Sequence, residues 1–338
     1  MGYGNEKDIT VLAGDIGGTK TELALYSSQS GLRRPLAKEK FSSRDYSGLE
    51  AIIEKFLSAV DIPIDRAAFG VAGPVVGGRA KITNLPWVME EAALAQTIGA
   101  QSVCLLNDIT AFANAVAVLT ENDLHVINKA SPAAGGTMAV VAPGTGLGEG
   151  FLVWDGKGYR AFASEGGHAD FAPIGPGQTG LLADLSDRYD HVSYERVCSG
   201  MGLANIYQYF KNTGVTGDPD CPARKVPAGE DPVPEIIRSA LDKEQPCGLC
   251  EKTLEMFVTV LGAEAGNMAL KTMATGGVYL GGGIPPRILP LLESESFLNA
   301  FVRKGRMAEL MKKIRVSVIL HPEAALLGAA RHAMTAPG

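Results

Sequence analysis

No stretch of this 338-residue chain approaches the ~20 consecutive apolar residues of a membrane-spanning helix. The N-terminus carries Glu6, Lys7 and Asp8 before a short apolar run, so no secretory signal is read there. Basic charge is not in excess either. The net charge of −6 argues against a nucleic-acid partner, for which a basic patch is expected. The nearest such cluster, Arg303 to Arg315, reads as a solvated helix face. Cysteines number five, odd and scattered, which fits free thiols in a reducing cytoplasm. Cys247-Gly-Leu-Cys250 is a single CxxC. Cys221 is a possible third ligand, but zinc sites use further ligands at similar spacing and none is close by, which weighs against zinc. The GxxxxGK[ST] pattern is missing, so this is not a P-loop protein.

Glycine is what the chain has in quantity. Its 41 glycines point to many tight turns and close backbone approaches. Hydrophobic content of 46% and charged content of 20% are ordinary for a globular protein, and the length suggests two domains. The organising stretch is Gly14-Asp15-Ile16-Gly17-Gly18-Thr19-Lys20. Between the strand-like runs Thr10–Ala13 and Thr21–Tyr26 it reads as a glycine turn, with φ > 0 at the adjacent glycines and N–H groups facing an anion. Asp15 at its mouth suits a hydrated Mg²⁺ beside phosphates. An ordinary hairpin turn is the simpler alternative.

Downstream, Ser47-Gly-Leu-Glu50 has the form of a capping box before an apolar helical pattern from Leu49 to Val60. Ala67–Ala72 reads as a buried strand and Gly77-Gly78 as a hairpin turn. A helix is predicted from about Met89 to Ile98, then a strand over Ser102–Leu106 ending at Asn107-Asp108. Asp108 is a candidate cap for a helix to Leu119. After a Pro/Gly-rich boundary near 120–135, Thr137–Ala142, Pro143-Gly-Thr-Gly-Leu-Gly148 and Glu149–Trp154 repeat the strand, glycine turn, strand pattern. Residues Thr216–Pro234 read as an exposed excursion. Asp231-Pro232 follows with N-cap and N1 character. A long helix spans about Leu249–Met273, a strand Gly277–Gly281 runs into Gly282-Gly283, and a strand Arg315–Leu320 precedes a helix from Glu323 to about Met334.

Three glycine turns thus follow apolar strands, and together they suit ATP: Gly14–Thr19, Gly144–Gly148 and Gly281–Gly283. Thr19 and Thr145 add hydroxyl donors for phosphate oxygens. Ligands collect at the carboxyl ends of strands in α/β sheets, where Asp108 stands. A carboxylate there can take the proton of an attacking alcohol, although Asp108 as a cap only is the alternative. Glu165-Gly-Gly-His168, around a flexible glycine pair, suits a polyol or part of a metal site. Glu195 alone reads as a surface helix residue.

In order along the chain stand Gly14-Asp15-Ile16-Gly17-Gly18-Thr19, Asn107-Asp108, Pro143-Gly-Thr-Gly-Leu-Gly148, Glu165-x-x-His168, Ser193-Tyr-Glu195-Arg196-x-x-Ser199-Gly200 and Leu280-Gly-Gly-Gly-Ile-Pro-Pro286. This series resembles the bacterial glucokinase family, within the actin-like superfamily of acetate kinase and hexokinase, from about residue 10 to 332. The resemblance implies an α/β, two-domain hexokinase/actin-like (ribonuclease H-like) fold with an active-site cleft between the domains. The small domain is expected at 1–120 plus 321–338 and the large one at 121–320. It implies phosphorylation of glucose on the 6-hydroxyl by ATP with Mg²⁺. Asp108 would be the catalytic base. Glucose would be bound by Asn107, Asp108, Glu165, His168 and Glu195, with Asn84 shaping the pocket from the Thr83–Trp87 loop. ATP phosphates would meet Gly14, Asp15, Ile16, Gly17, Gly18 and Thr19, with Gly144, Thr145, Gly146, Gly282 and Gly283, and Asp15 would hold Mg²⁺ through water. A cytoplasmic homodimer is expected. One departure stands out: Phe171–Asp184 lacks the cysteine-rich zinc motif that follows ExxH in a related sugar-kinase group. The rivals are a kinase of another hexose or amino sugar, polyphosphate as donor, and a sugar-sensing regulator without catalysis. The regulator would need a basic helix-turn-helix, for which the N-terminus leaves no room.

Overall fold

A computed structural model describes residues 8–82, 85–214, 220–227 and 229–336, so Asn84 lies outside the described residues. The chain divides into two compact units. The first is the chain up to Thr120 with Tyr159–Ala163 and the segment from His321; the second is Glu121–Gly158 with Ser164–Leu320.

In the first unit, β1 (Thr10–Ile16) and β2 (Lys20–Ser27) form the expected hairpin, and β3 (Ala37–Ser42) pairs with β2. Helix α1 (Leu49–Leu57) leads to β4 (Arg66–Val71), parallel to β1. A small sheet of β5 (Val75–Val76), β6 (Arg79–Lys81) and β7 (Val88–Glu90) precedes α2 (Glu91–Ile98). Then β8 (Ser102–Asn107) joins β4 in parallel and runs directly into α3 (Asp108–Val116). The central strands read as continuous apolar runs because both faces are covered. Leu12, Leu23 and Phe69 pack on one side with Ile52, Ile53 and Phe56 of α1. Val11, Ala13 and Ala68 pack on the other with Leu326, Ala329 and Ala330 of the C-terminal helix Ala324–Thr335. That helix crosses α3 at Gly328, where a Cβ would enter the Ala111 carbonyl and come 2.7 Å from the Ala115 nitrogen. The buried Arg331 guanidinium donates to Asn114 Oδ1 of α3 at 2.8 Å and to the Tyr159 carbonyl at 2.7 Å.

The second unit contains β9 (Leu124–Asn128), β10 (Met138–Pro143) and β11 (Leu147–Trp154). After β12 (Tyr159–Ser164) come α4 (Gly175–Ser186), α5 (Gly200–Thr213), α6 (Val233–Leu241), α7 (Gly248–Thr272), β13 (Gly277–Leu280) and β14 (Val316–Ile319). Strands β11, β10, β13, β14 and β9 lie side by side in that order. The β10–β11 pair is antiparallel, while β10, β13 and β14 run parallel. The same arrangement, a hairpin followed by two parallel strands, occupies β2, β1, β4 and β8 of the first unit. The self-similarity read in the sequence is therefore architectural. Helix α7 is apolar on most sides because the core surrounds it: Leu254, Phe257, Leu261, Ala265 and Met268 are all buried.

Several local expectations are corrected. No side chain caps α1; its N-cap is Gly48, so Ser47 sits one residue too early for a capping box. Residues Val88–Glu90 pair with β6, which delays α2 to Glu91. Helix α3 stops at Val116, where the amides of Val118 and Leu119 both turn to the Ala115 carbonyl. Asp231 Oδ1 accepts the Val233 N–H at 3.0 Å, but Pro232 rather than Asp231 holds the N-cap position of α6. The Thr216–Pro234 excursion is not uniformly exposed, since Cys221 and Ala223 within it are buried. The Arg303–Arg315 run is no single helix face. A 3-10 turn at Gly305–Met307 breaks it, and Lys304 turns inward to the Ala263 carbonyl, 2.8 Å, and Asn267 Oδ1, 2.5 Å. Among the described residues no helix is long and apolar enough to cross a membrane.

Candidate active site

In the first unit, Gly14, Asp15 and Ile16 are the last three residues of β1 rather than part of the turn. Strand pairing sets Asp15 opposite Glu22. Like charges in that position repel. Glu22 is buried and paired with Lys20 at 2.9 Å and Lys40 at 3.4 Å. Burial first, and then the charges of Glu22 and Asp108, push the Asp15 carboxyl up to about 6, against the opposing pull of Lys20. A hydrated divalent cation relieves such a cluster, so the oxygen donors at Asp15 fit Mg²⁺.

The turn itself differs from its expected form. Neither Gly17 nor Gly18 is among the glycines with positive φ. The Gly17 N–H closes the turn on the Lys20 carbonyl at 2.9 Å, so it does not face a ligand. Ser43 Oγ donates to the Gly17 carbonyl at 2.8 Å and lies 3.0 Å from Thr21 Oγ1, which fixes the turn from below. Gly18 is half-buried and Thr19 exposed at its tip.

At the end of β8 the cap of α3 is Asn107, not Asp108. The Ile109 N–H is shared between Asn107 Oδ1 at 2.9 Å and Asp108 Oδ1 at 2.8 Å. Asn107 Nδ2 donates to the Gly73 carbonyl at 3.3 Å. Asp108 is thereby left exposed in the first turn of α3.

In the second unit, the Gly144 N–H bonds the Gly146 carbonyl at 2.8 Å, which closes the β10–β11 turn with Thr145 exposed. The Gly144 carbonyl accepts the Gly200 N–H at the start of α5, 2.8 Å. Gly281 N–H bonds the Val141 carbonyl at 2.9 Å, which brings the third glycine turn against the second. Gly282 takes φ +78°, open only to glycine at low cost. Two of the three glycine turns are thus neighbours.

The same unit gathers the polar residues expected at the sugar. His168 lies between two carboxylates: its Nε2 is 3.9 Å from Glu165 Oε2 and its Nδ1 is 3.9 Å from Glu195 Oε1. Glu165 and His168 are exposed. Glu195 is no surface helix residue. It sits half-buried in a 3-10 turn, and its Oε2 accepts the Leu147 N–H at 2.9 Å. Gly146 makes room for that oxygen, since a Cβ there would enter Glu195 Oε2. The Gly166-Gly167 pair is rigid rather than flexible. It forms a 3-10 turn, and Cβ atoms on it would enter Glu149 Oε2 and the Leu147 carbonyl.

Beneath this turn lies a layer that sequence reasoning missed. Glu149 of β11 is fully buried. Burial and the neighbouring Glu264 charge push its carboxyl up to about 8, with Lys271 pulling the other way. Glu264 accepts from Asn267 Nδ2 at 2.8 Å, and the same amide donates to the Tyr194 hydroxyl at 2.9 Å. Tyr194 adjoins Glu195, so the buried network holds the Tyr194–Arg196 turn from behind. Ser199, which caps α5 through the Gly202 N–H at 3.1 Å and donates to the Glu195 carbonyl at 2.7 Å, is a second support. The available signal was a glutamate inside an otherwise apolar strand.

A family model described as Glucokinase matches residues 12–336. The Nostoc punctiforme protein named Glucokinase is 41% identical over 335 residues, covering 95% of this chain and 97% of that one. Among solved structures, a glucokinase from an Antarctic psychrotroph superposes with TM-score 0.83 at 30% identity, covering 97% of this chain and 99% of that one. A ROK-family glucokinase from Streptomyces griseus, solved with glucose and AMPPNP, gives TM-score 0.61 at 19% identity over 97% and 100% of the two chains and shares the fold.

Proposed function

The chain belongs to the glucokinase family, and from that premise we propose how its residues divide the work. The protein is an enzyme that transfers the γ-phosphoryl group of ATP to the 6-hydroxyl of glucose, giving glucose 6-phosphate and ADP. The AMPPNP bound to the Streptomyces griseus structure supports ATP as donor. The observation that carries the sugar assignment is His168 held between Glu165 and Glu195, with Glu195 tied to the glycine turn through Leu147 N–H.

Glu165, Glu195 and Asp108 accept from hexose hydroxyls, while Asn107 and His168 donate to hexose oxygens. Asp108 takes the proton of the 6-hydroxyl as that oxygen attacks the γ-phosphorus. The bond to the β–γ bridging oxygen breaks, and ADP leaves with it. Thr145 and the adjoining glycine turns, with Gly18 and Thr19, face the phosphates. Asp15 would hold Mg²⁺ through water; when bound, the ion neutralises charge on the phosphate oxygens. Exclusion of water keeps ATP from hydrolysis. The two units are proposed as the small and large domains, and a cytoplasmic homodimer is proposed on the resemblance; sedimentation reads the dimer.

Asp108→Asn tests the base. The variant is expected to keep glucose binding by calorimetry, weakened by at most about 10-fold, while kcat falls by roughly 10²–10⁴-fold. Near wild-type turnover would remove Asp108 from that role.

A further inference from the structure

Cys221 is 26 residues from Cys247 and 29 from Cys250, yet the three Sγ atoms lie within 4.8 Å of one another. All three side chains are buried and none is in a disulfide. Cys221 Sγ and Cys250 Sγ are 3.5 Å apart, well beyond the ~2.05 Å of a disulfide. Three pieces of backbone deliver them. Cys221 precedes the 3-10 turn Pro222–Lys225, Cys247 is the N-cap of α7, and Cys250 stands in that helix's first turn. Cys247 and Cys250 thus stand together at the N-terminus of a 25-residue helix.

The surroundings select the ion. The cluster contains sulfur ligands without any carboxylate, and its neighbours Ala223, Ile236 and Leu249 are apolar. Soft thiolates take zinc and reject calcium or magnesium, which need oxygen cages. Zinc–sulfur bonds of ≈ 2.3 Å in tetrahedral geometry set sulfurs ~3.8 Å apart, a spacing the cluster reaches with small side-chain adjustments. The Tyr207 hydroxyl lies 3.8 Å from Cys221 Sγ. None of the three cysteines is among the residues assigned to glucose or ATP.

We propose that Cys221, Cys247 and Cys250 bind one Zn²⁺ as thiolates, each thiol releasing its proton on binding. The ion pins the 220–227 segment to the start of α7. The full chain, purified from zinc-supplemented culture without chelator, is assayed for metal by mass spectrometry. Wild type and Cys104→Ser, whose thiol lies in β8 outside the cluster, are expected to carry about one zinc per chain. Cys221→Ser is expected to lose most of it. Two readouts use the wild-type chain alone. Cobalt(II) added to the stripped protein should give a thiolate-to-metal charge-transfer band, and stripping zinc should lower the unfolding midpoint, with zinc restoring it. Wild type without zinc and without the cobalt band would overturn the site, as would equal metal loss in Cys104→Ser and Cys221→Ser. An unfolding midpoint indifferent to zinc would overturn the pinning role.

Discussion

Glu149 is the residue on which folding and the proposed sugar site meet. Its carboxyl is at about 8 in the folded protein against an ordinary value of 4.5, chiefly through burial and then the Glu264 charge. Between those values the folded chain keeps a proton that the unfolded chain has released. Stability therefore falls as pH rises through that window and levels off above it, by an amount on the order of a few kcal/mol. Glu149→Gln keeps the shape and removes the charge. Urea unfolding is expected to show a flatter pH dependence for the variant and greater stability than wild type above pH ~8. Parallel curves for the two proteins would show that Glu149 titrates normally. Gly146 makes the complementary prediction. Gly146→Ala should displace Glu195 from the Leu147 amide and lower kcat/KM for glucose by roughly 10–100-fold, with the far-UV spectrum unchanged. Wild-type kinetics in that variant would separate Glu195 from the sugar. Asp108, Glu165 and His168 were candidates in the sequence because they stand in short motifs at strand or turn ends, and Glu195 became one through the family resemblance. Glu149 was not, because one glutamate in a strand reads as the solvent-facing half of an alternation.

Among elements, the pair formed by α3 and the C-terminal helix carries Asp108, the proposed base. Gly328 lets the two backbones cross at a distance that no side chain permits. Gly328→Ala is expected to destabilise the protein by about 1–3 kcal/mol or more, read as a lowered Tm. It should also depress kcat, since α3 begins at Asp108. An unchanged Tm would mean that the helices part without cost. Strands were the most legible elements. The buried runs of β1, β4 and β10 and the glycine turn at Gly77-Gly78, with φ +57° and +71°, follow from local chemistry. Helix starts were the least legible. Ser47 and Asp108 both have the chemistry of a cap, but the chain places Gly48 and Asn107 there, because the preceding strand or loop fixes where helical φ and ψ begin.

At the scale of the molecule, the echo between the two glycine hairpins appears as the same strand order in both units, β2-β1-β4-β8 and β11-β10-β13-β14. That much was legible, since each hairpin is local in sequence. The meeting of Cys221 with the CxxC was legible only as one option weighed against, because it depends on how the excursion folds back onto α7. The assignment of glucose as the acceptor and ATP as the donor is the claim on which the residue roles rest. It is tested most directly by kcat/KM across a panel of glucose, mannose and N-acetylated hexosamines, each with ATP and with polyphosphate, following sugar phosphate formed. Glucose with ATP is expected to give the highest value by at least ~10-fold, the discrimination available from one mispaired hydroxyl or more. A higher value for mannose, for an N-acetylated sugar or for polyphosphate would contradict it.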